Sequence, residues 1–241
     1  DFHLFNGFKS KALEDYESAL KHFFKAIKIN DISPVPHYEI ALIYNSTENY
    51  LLAIEQIEKA IKHKGYAYFE NGEYNVNIVG IRNGATGKRV TNQFDDWMSA
   101  SYKVNGEWKF AIYPCTVDNG DGTARLVEGQ YRGSFTIGKH QGKYDALKQC
   151  KPLKVYRDWN LKDGTYDESK IYNDVAGLNI HKAGADSVNV NNWSEGCQVF
   201  KREKEFLAFM EIIFKAEKIH GKFFTYTLIN SNDLVTTNNL D

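Results

Sequence analysis

The stretch D-W-M-S-A-S-Y-K-V-N-G-E-W-K-F-A-I-Y, residues 96–113, gives the strongest indication of how this chain folds. It consists of two aromatic-rich segments on either side of the dipeptide Asn105-Gly106. Asparagine and glycine tolerate the positive φ angles that a two-residue turn between antiparallel strands requires. We therefore expect a β-hairpin with strands at 96–104 and 107–113.

Strand-like alternation continues on both sides of this hairpin, and short strands at such spacing predict a sandwich or barrel rather than a parallel sheet. Residues 203–219 instead follow a helical period with apolar side chains on one face, and we expect them to form an amphipathic helix of the core. The polar residues 231–241 are expected to be a frayed tail. The further predicted strands are 74–82, 125–127, 134–138, 153–157, 176–180, 197–201 and 222–229.

The first 64 residues repeat themselves with a period of 34, which is the tetratricopeptide period. Small residues coincide under this shift: Gly7 with Ala41, Ala19 with Ala53, and Ala26 with Ala60. The segment resembles two tetratricopeptide repeats, with helices near 3–13, 16–29, 35–46 and 49–63. Such an arm would bind a protein partner or serve only as a brace for the rest of the chain, and the sequence leaves both open.

The predicted fold class is therefore α+β, with N-terminal all-α tetratricopeptide hairpins and then a mainly-β sandwich or barrel with a C-terminal helix. The predicted domains are 1–64 for the repeats, 65–73 for a junction, 74–230 for the β-rich body and 231–241 for the tail.

Charge and hydropathy exclude several classes of function. The formal net charge is −1, whereas nucleic-acid and membrane-surface binders normally carry a basic excess. No apolar run approaches the roughly 18 residues of a membrane-spanning helix, and no signal peptide is visible in the first twenty residues. The three cysteines are too few for a disulfide scaffold. If Cys197 is free, Cys115 and Cys150 are either a pair or two unpaired thiols.

The segment 177–200 holds the residues with the clearest chemical potential. His181 lies in a short apolar run, and Cys197 follows sixteen positions later within Ser194-Glu195-Gly196-Cys197. A cysteine nucleophile needs a base, space for the substrate and amide hydrogens for the oxyanion. His181 can serve as the base, and an imidazolium beside a thiolate would lower the cysteine pKa below about 8.5. The alternative is that Cys197 is a packed core thiol.

This segment resembles the signature of the L,D-transpeptidase (YkuD-like) catalytic domain, in which a His is followed by [S/T]-H-G-C. His181 matches the base of that signature, Ser194 the hydroxyl residue, Gly196 the glycine and Cys197 the nucleophile. The twelve residues between His181 and Ser194 are slightly fewer than usual. Two departures are that Glu195 stands where the family has His, and that 198–200 read Gln-Val-Phe where the family tends to carry Arg or Asn.

The resemblance implies a cysteine-dependent enzyme of the bacterial or phage cell envelope, periplasmic or exported, that acts on peptidoglycan stem peptides without a cofactor or metal. It implies that the backbone carbonyl of Lys182 orients the His181 ring. The amides around Glu195, Gly196 and Cys197 are candidates for the anion pocket, with Ser194 in its wall. The side chains that we consider for substrate binding are Trp193, Arg132, Tyr144 and Arg157.

Two other functions remain open on sequence grounds. In the first, the thioester is resolved by water, and the protein is a cell-wall hydrolase such as a toxin or a lytic enzyme. In the second, the chain is a non-catalytic module in which a tetratricopeptide arm and a degenerate sandwich bind a protein or a glycan.

Overall fold

A computed structural model describes residues 2–29, 36, 43, 50–84, 90–118, 124–157, 166 and 168–236. Eleven strands lie in this part of the chain, and eight of them close a barrel in the order β1-β11-β5-β6-β9-β10-β3-β2. The other three form a small sheet in the order β4-β7-β8. The strands are β1 Asn77–Arg82, β2 Asp96–Val104, β3 Glu107–Thr116, β4 Ala124–Leu126, β5 Gly129–His140, β6 Tyr144–Gln149, β7 Leu153–Arg157, β8 Tyr172–Asp174, β9 Ile180–Lys182, β10 Gln198–Phe200 and β11 Phe223–Asn230.

The hairpin predicted around Asn105-Gly106 is confirmed. Strands β2 and β3 pair antiparallel from Val104 opposite Glu107 to Asp96 opposite Cys115. Asn105 and Gly106 have φ angles of 53° and 80°, the left-handed values that a type I′ turn needs at both positions. Two neighbouring pairs in the barrel are parallel, β1 with β11 and β9 with β10.

Five helices also lie in the described residues: α1 Phe2–Ala12, α2 Tyr16–Ile29, α3 Tyr50–His63, α4 Glu203–His220 and α5 Ser231–Thr236. Helix α4 was predicted, and its apolar face contributes Phe206, Phe209 and Met210 to the barrel core. The segment 231–236 is helical rather than frayed, because the Asp233 carboxylate accepts a hydrogen bond from the amide of Asn230 just before the helix begins.

The predicted fold class, tetratricopeptide hairpins followed by a sandwich or barrel, is wrong. The protein is mainly β, with one closed barrel and few helices. Helices α1 and α2 are the N-terminal helix pair, and Gly7 lies so close to Phe23 that a Cβ atom there would be 2.5 Å from the ring. The predicted third helix, 35–46, falls outside the described residues except at Pro36 and Ile43.

Three of the small residues that suggested repeats, Ala19, Ala53 and Ala60, belong to a core shared with the barrel. Ala53 and Ile57 of α3 lie in one hydrophobic cluster with Ile81 of β1 and Phe110 and Ile112 of β3. An amphipathic helix that covers a sheet needs the same small and apolar spacing as a helix that stacks on another helix. The small and apolar face of α3 therefore reflects its packing on the barrel.

Strands β6 and β8 were missed in the sequence, and β6 pairs with the strand that carries His181. β6 pairs with β5 and, through Leu147 opposite Ile180, with β9. The small sheet holds β4 against the loop before β10, and β4 is fixed by a buried ion pair. Arg125 of β4 and Arg82 of β1 each donate from Nε to the Asp118 carboxylate at 3.0 Å.

Two further expectations concern disulfide bonds and membrane-spanning helices. Cys115 is buried, Cys150 is exposed, and neither forms a disulfide. Within the described residues, no helix is long and apolar enough to cross a membrane.

Candidate functional site

The candidate site is formed where β9 and β10 run side by side. The two strands are parallel, and Val199 pairs with His181. Because paired residues of parallel strands project from the same face, His181 and Val199 do so, and Cys197 comes one residue before β10 begins. Neighbouring strands are about 4.8 Å apart and rise about 3.3 Å per residue, so the Cα atoms of His181 and Cys197 are roughly 8 Å apart. Two side chains at this separation can reach each other.

The His181 ring is held in one orientation by the polypeptide backbone. Its Nδ1 lies 2.9 Å from the carbonyl oxygen of Lys182. A carbonyl only accepts, so Nδ1 carries the proton and Nε2 is left with its lone pair. The Tyr144 hydroxyl lies 3.3 Å from the same carbonyl oxygen and 3.4 Å from Nδ1. His181 as a whole is only 2% exposed.

The Cys197 sulfur is half-buried and lies among backbone groups of the segment that leads into β9. The amide of Asn179 donates a hydrogen bond to it at 3.3 Å, and its own hydrogen points to the carbonyl oxygen of Gly177 at 3.5 Å. These are the hydrogen bonds of the sulfur in the described part of the chain, and neither involves His181. In this state the thiol keeps its proton, and transfer to Nε2 of His181 requires a rotation about the Cα–Cβ bond.

The turn that carries the cysteine is braced from inside. The Ser194 hydroxyl donates to the carbonyl oxygen of Cys197 at 2.8 Å and accepts from the amide of Gly196 at 3.1 Å. The Gly196 amide is therefore already engaged, so that of the three amides predicted for an oxyanion pocket only those of Glu195 and Cys197 remain candidates. Ser194 is fully buried and has a structural role in the turn.

Gly196 cannot be replaced without distortion of this turn. Its φ angle is +132°, and a Cβ atom would lie 2.6 Å from the Leu178 side chain and 2.9 Å from the carbonyl oxygen of Ala124 in β4. Its own carbonyl oxygen accepts a hydrogen bond from Gln198, whose amide oxygen in turn accepts from the Tyr226 hydroxyl of β11 at 2.9 Å. The turn is thus tied both to the small sheet and to the barrel.

The pKa values of the pair differ from the sequence-based expectation. Burial, with a smaller contribution from the Glu195 carboxylate, raises the pKa of the Cys197 thiol to about 11. Burial and the neighbouring His140 lower the pKa of His181 to about 4. At neutral pH both groups are therefore uncharged. The imidazolium–thiolate pair that we expected is not the resting state, because the site is too dry to hold two charges.

Two residues at the site were not among the sequence candidates. His140, at the end of β5, stacks on His181 with ring centroids 4.0 Å apart. Asn179 joins His140 to the sulfur, since its side chain contacts His140 Nδ1 at 3.2 Å while its backbone amide donates to Cys197. A turn signal was present in the sequence, because the three-residue loop Gln141-Gly142-Lys143 between His140 and Tyr144 contains a glycine.

The remaining candidates are distributed over the molecule. Arg132 lies eight residues before His140 on β5, roughly 25 Å along the strand, and its guanidinium is exposed over the Phe69 ring. Arg157, on β7, pairs with Asp174 in the small sheet. Trp193 ends a short 3-10 turn before Ser194 and is 43% exposed. Tyr144 therefore contacts His181 directly, whereas Arg132 does not lie near the pair.

The raised pKa of Cys197 leads to a prediction for its alkylation by iodoacetamide. Only about one thiol in ten thousand is ionised at pH 7 when the pKa is about 11. The rate constant should therefore rise about tenfold per pH unit from pH 6 to pH 10 without a plateau. Peptide mass spectrometry would resolve Cys197 from the exposed Cys150 in the same sample. A rate constant that is constant between pH 6 and pH 8 would instead indicate a preformed ion pair.

Within the described residues, no three histidine, cysteine or carboxylate side chains cluster so as to hold a metal ion. Comparisons with family models, curated proteins and solved structures find no match to this chain.

Proposed function

We propose that this protein is a cysteine acyltransferase that acts on peptidoglycan stem peptides, by L,D-transpeptidation or L,D-carboxypeptidation. The observation that carries the proposal is the orientation of His181. Its Nδ1 is committed to the Lys182 carbonyl, which leaves Nε2 as a base on the strand that pairs with β10, directly after Cys197. The likeness of the 181–197 segment to the L,D-transpeptidase signature supports the choice of substrate.

In the first half-reaction, the Cys197 sulfur attacks the carbonyl carbon that precedes the terminal D-alanine of a tetrapeptide stem. The carbon–sulfur bond forms as the thiol proton moves to Nε2 of His181, because both groups begin uncharged. The carbon–nitrogen bond then breaks, and His181 returns the proton to the leaving amine. The products of this step are D-alanine and a Cys197 thioester.

In the second half-reaction, an acyl acceptor attacks the thioester and regenerates the thiol. An amine of a second stem peptide gives a cross-link between two third-position residues, and water gives a tripeptide. His181 takes the proton of the acceptor in either case. The acceptor that reacts faster determines whether the enzyme builds or trims the wall of the cell envelope.

The proposal is tested with purified disaccharide tetrapeptides and the whole chain. We expect release of D-alanine, a Cys197 thioester visible in the intact mass, and either a cross-linked dimer or a free tripeptide. Cleavage of only the glycan or the lactyl-amide bond would refute the substrate while leaving a reactive cysteine. The absence of turnover on any muropeptide, together with an inert Cys197, would refute the enzymatic function.

A second candidate is a non-catalytic barrel that binds a protein or a glycan. The observation that favours it is the burial of an uncharged His181 beside a thiol that is hydrogen-bonded to the Gly177 carbonyl, as in a packed core cysteine. Under this alternative, neither thioester nor product forms, and ligand binding is unchanged when Cys197 is replaced by alanine.

A further inference from the structure

His140 is the aromatic neighbour of the proposed base. It closes the β5–β6 hairpin opposite Tyr144 and is only 8% exposed. Its ring lies almost parallel to that of His181, at 17° with the centroids 4.0 Å apart. The proposed reaction transfers no proton to His140. Its ring nevertheless stacks on the imidazole of His181, the proposed general base.

The hydrogen bonds around Asn179 fix the protonation of His140. The backbone amide of Gln149 donates to Oδ1 of Asn179 at 3.1 Å, which determines the orientation of the Asn179 amide. The Nδ2 of Asn179 therefore donates to Nδ1 of His140, 3.2 Å away. Since Nδ1 accepts, His140 is neutral and carries its proton on Nε2. The two stacked rings thus have opposite tautomers, because His181 carries its proton on Nδ1.

The same asparagine leads to the nucleophile. Its backbone amide donates to the Cys197 sulfur at 3.3 Å, and its backbone carbonyl accepts from Gln198 at the start of β10. A displacement of the Asn179 side chain would therefore move the group that holds the sulfur. His140 contacts the base directly and the nucleophile through one residue.

We propose that His140 is a positioning residue, which stacks on His181 and, as the neutral acceptor for Asn179, fixes the segment that holds the Cys197 sulfur. This inference rests on the proposed roles of Cys197 and His181 as nucleophile and base. It does not depend on the peptidoglycan substrate.

The surroundings of His140 keep it uncharged. Burial, and then the ammonium groups of Lys148 and Lys143, lower the pKa of His140. A proton on Nδ1 of His140 would face Nδ2 of Asn179, which is also a hydrogen-bond donor, so this contact would be lost. The resulting positive charge would also repel the imidazolium that His181 becomes during acyl transfer. The ring faces His181, Tyr144 and Asn179 and has no carboxylate among these contacts.

The first test is spectroscopic and uses the whole chain labelled with ¹⁵N. Long-range ¹H–¹⁵N correlations at neutral pH should show His140 protonated only at Nε2 and His181 only at Nδ1, with signals assigned from their loss in H140Q and H181A. A His140 that is doubly protonated or protonated at Nδ1 would overturn the proposal.

The second test measures acetylation of Cys197 by p-nitrophenyl acetate, which transfers its acetyl group to the sulfur and releases p-nitrophenolate. Peptide mass spectrometry follows Cys197, with the exposed Cys150 as the reference thiol in the same sample. H140L removes the acceptor for Asn179 and should slow acetylation about tenfold, whereas H140Q keeps an acceptor and should remain within about threefold of the wild type. His63, exposed at the end of α3, provides the control variant H63L, which should react at the wild-type rate.

Equal rates for the wild type and H140L, or an equal loss in H140L and H140Q, would overturn the proposal. If H140L does not fold, as judged by near-ultraviolet circular dichroism, the tautomers and the H140Q rate still decide the outcome. The result also separates this inference from the function proposed above. Dependence of acetylation on His140 without muropeptide turnover would refute the substrate alone, and turnover that is indifferent to H140L would refute the positioning role alone.

Discussion

Replacement of Cys197 by serine should abolish both half-reactions on tetrapeptide stems, with a loss of at least about a thousandfold in kcat. A serine hydroxyl is a weaker nucleophile than a thiol, and His181, with a pKa of about 4, is too weak a base to compensate. Release of D-alanine is measured by liquid chromatography with mass spectrometry, and the thioester adduct should disappear from the intact mass.

The matched control is Cys150→Ser. Cys150 is exposed, and its sulfur faces the carbonyl oxygen of Gly133 on the far part of β5, so this variant should retain wild-type turnover. If Cys197→Ser still releases D-alanine at more than a tenth of the wild-type rate, Cys197 is not the nucleophile.

Replacement of His181 by alanine should lower kcat by about a hundredfold to ten-thousandfold, the range that a positioned general base contributes. The KM for the tetrapeptide should change little, because the buried ring is covered by His140 and does not form a binding surface. Steady-state kinetics on the tetrapeptide separate the two constants. His63→Ala, which removes an exposed histidine of α3, is the control for loss of an imidazole.

Truncation of a buried ring also costs stability, so the melting temperature must be measured alongside the kinetics. A His181→Ala protein that is folded and retains more than a tenth of the wild-type kcat would exclude His181 as the base. In that case the proton of Cys197 would have to leave through Tyr144 or directly to water.

Part of the fold could be predicted because its signals are local. The Asn105-Gly106 turn specifies its own conformation, and the apolar face of α4 is repeated at each helical turn, as at Phe206 and Phe209. Strands β9 and β10 are only three residues long, and their parallel pairing joins segments with an irregular connection. Local alternation detects such strands but does not determine their partners, so it could not distinguish a closed barrel from a sandwich.

The tetratricopeptide interpretation failed for a different reason. Spacing of small residues such as Ala53 and Ala60 shows that a helix is closely packed on one face, but it does not show what that face contacts. Here the same face of α3 lies in a cluster with Val79 of β1 and Ile112 of β3. The 34-residue period therefore identified which side of α3 is buried, but not whether that side packs on another helix or on a sheet.

For the site, sequence spacing identified residues that the backbone brings together directly. His181 and Lys182 lie on β9 and Cys197 comes directly before the adjacent strand β10, so a linear motif can describe them. His140 comes from a hairpin about forty residues earlier, and only the pairing of β6 with β9 brings it to the site. The pKa directions were also inaccessible, since they depend on the burial of His181 and Cys197 rather than on the identity of their neighbours in the sequence.

The hydrogen bond from Tyr226 to Gln198 has a consequence for the order in which parts of the protein fold. Tyr226 lies on β11 and pairs with Ile78 of β1, and such non-local pairings form late because a long loop must be closed first. Gln198, which anchors the carbonyl of Gly196, receives its own anchor only then. We therefore expect the turn that carries Cys197 to reach its final geometry only after β11 has paired with β1.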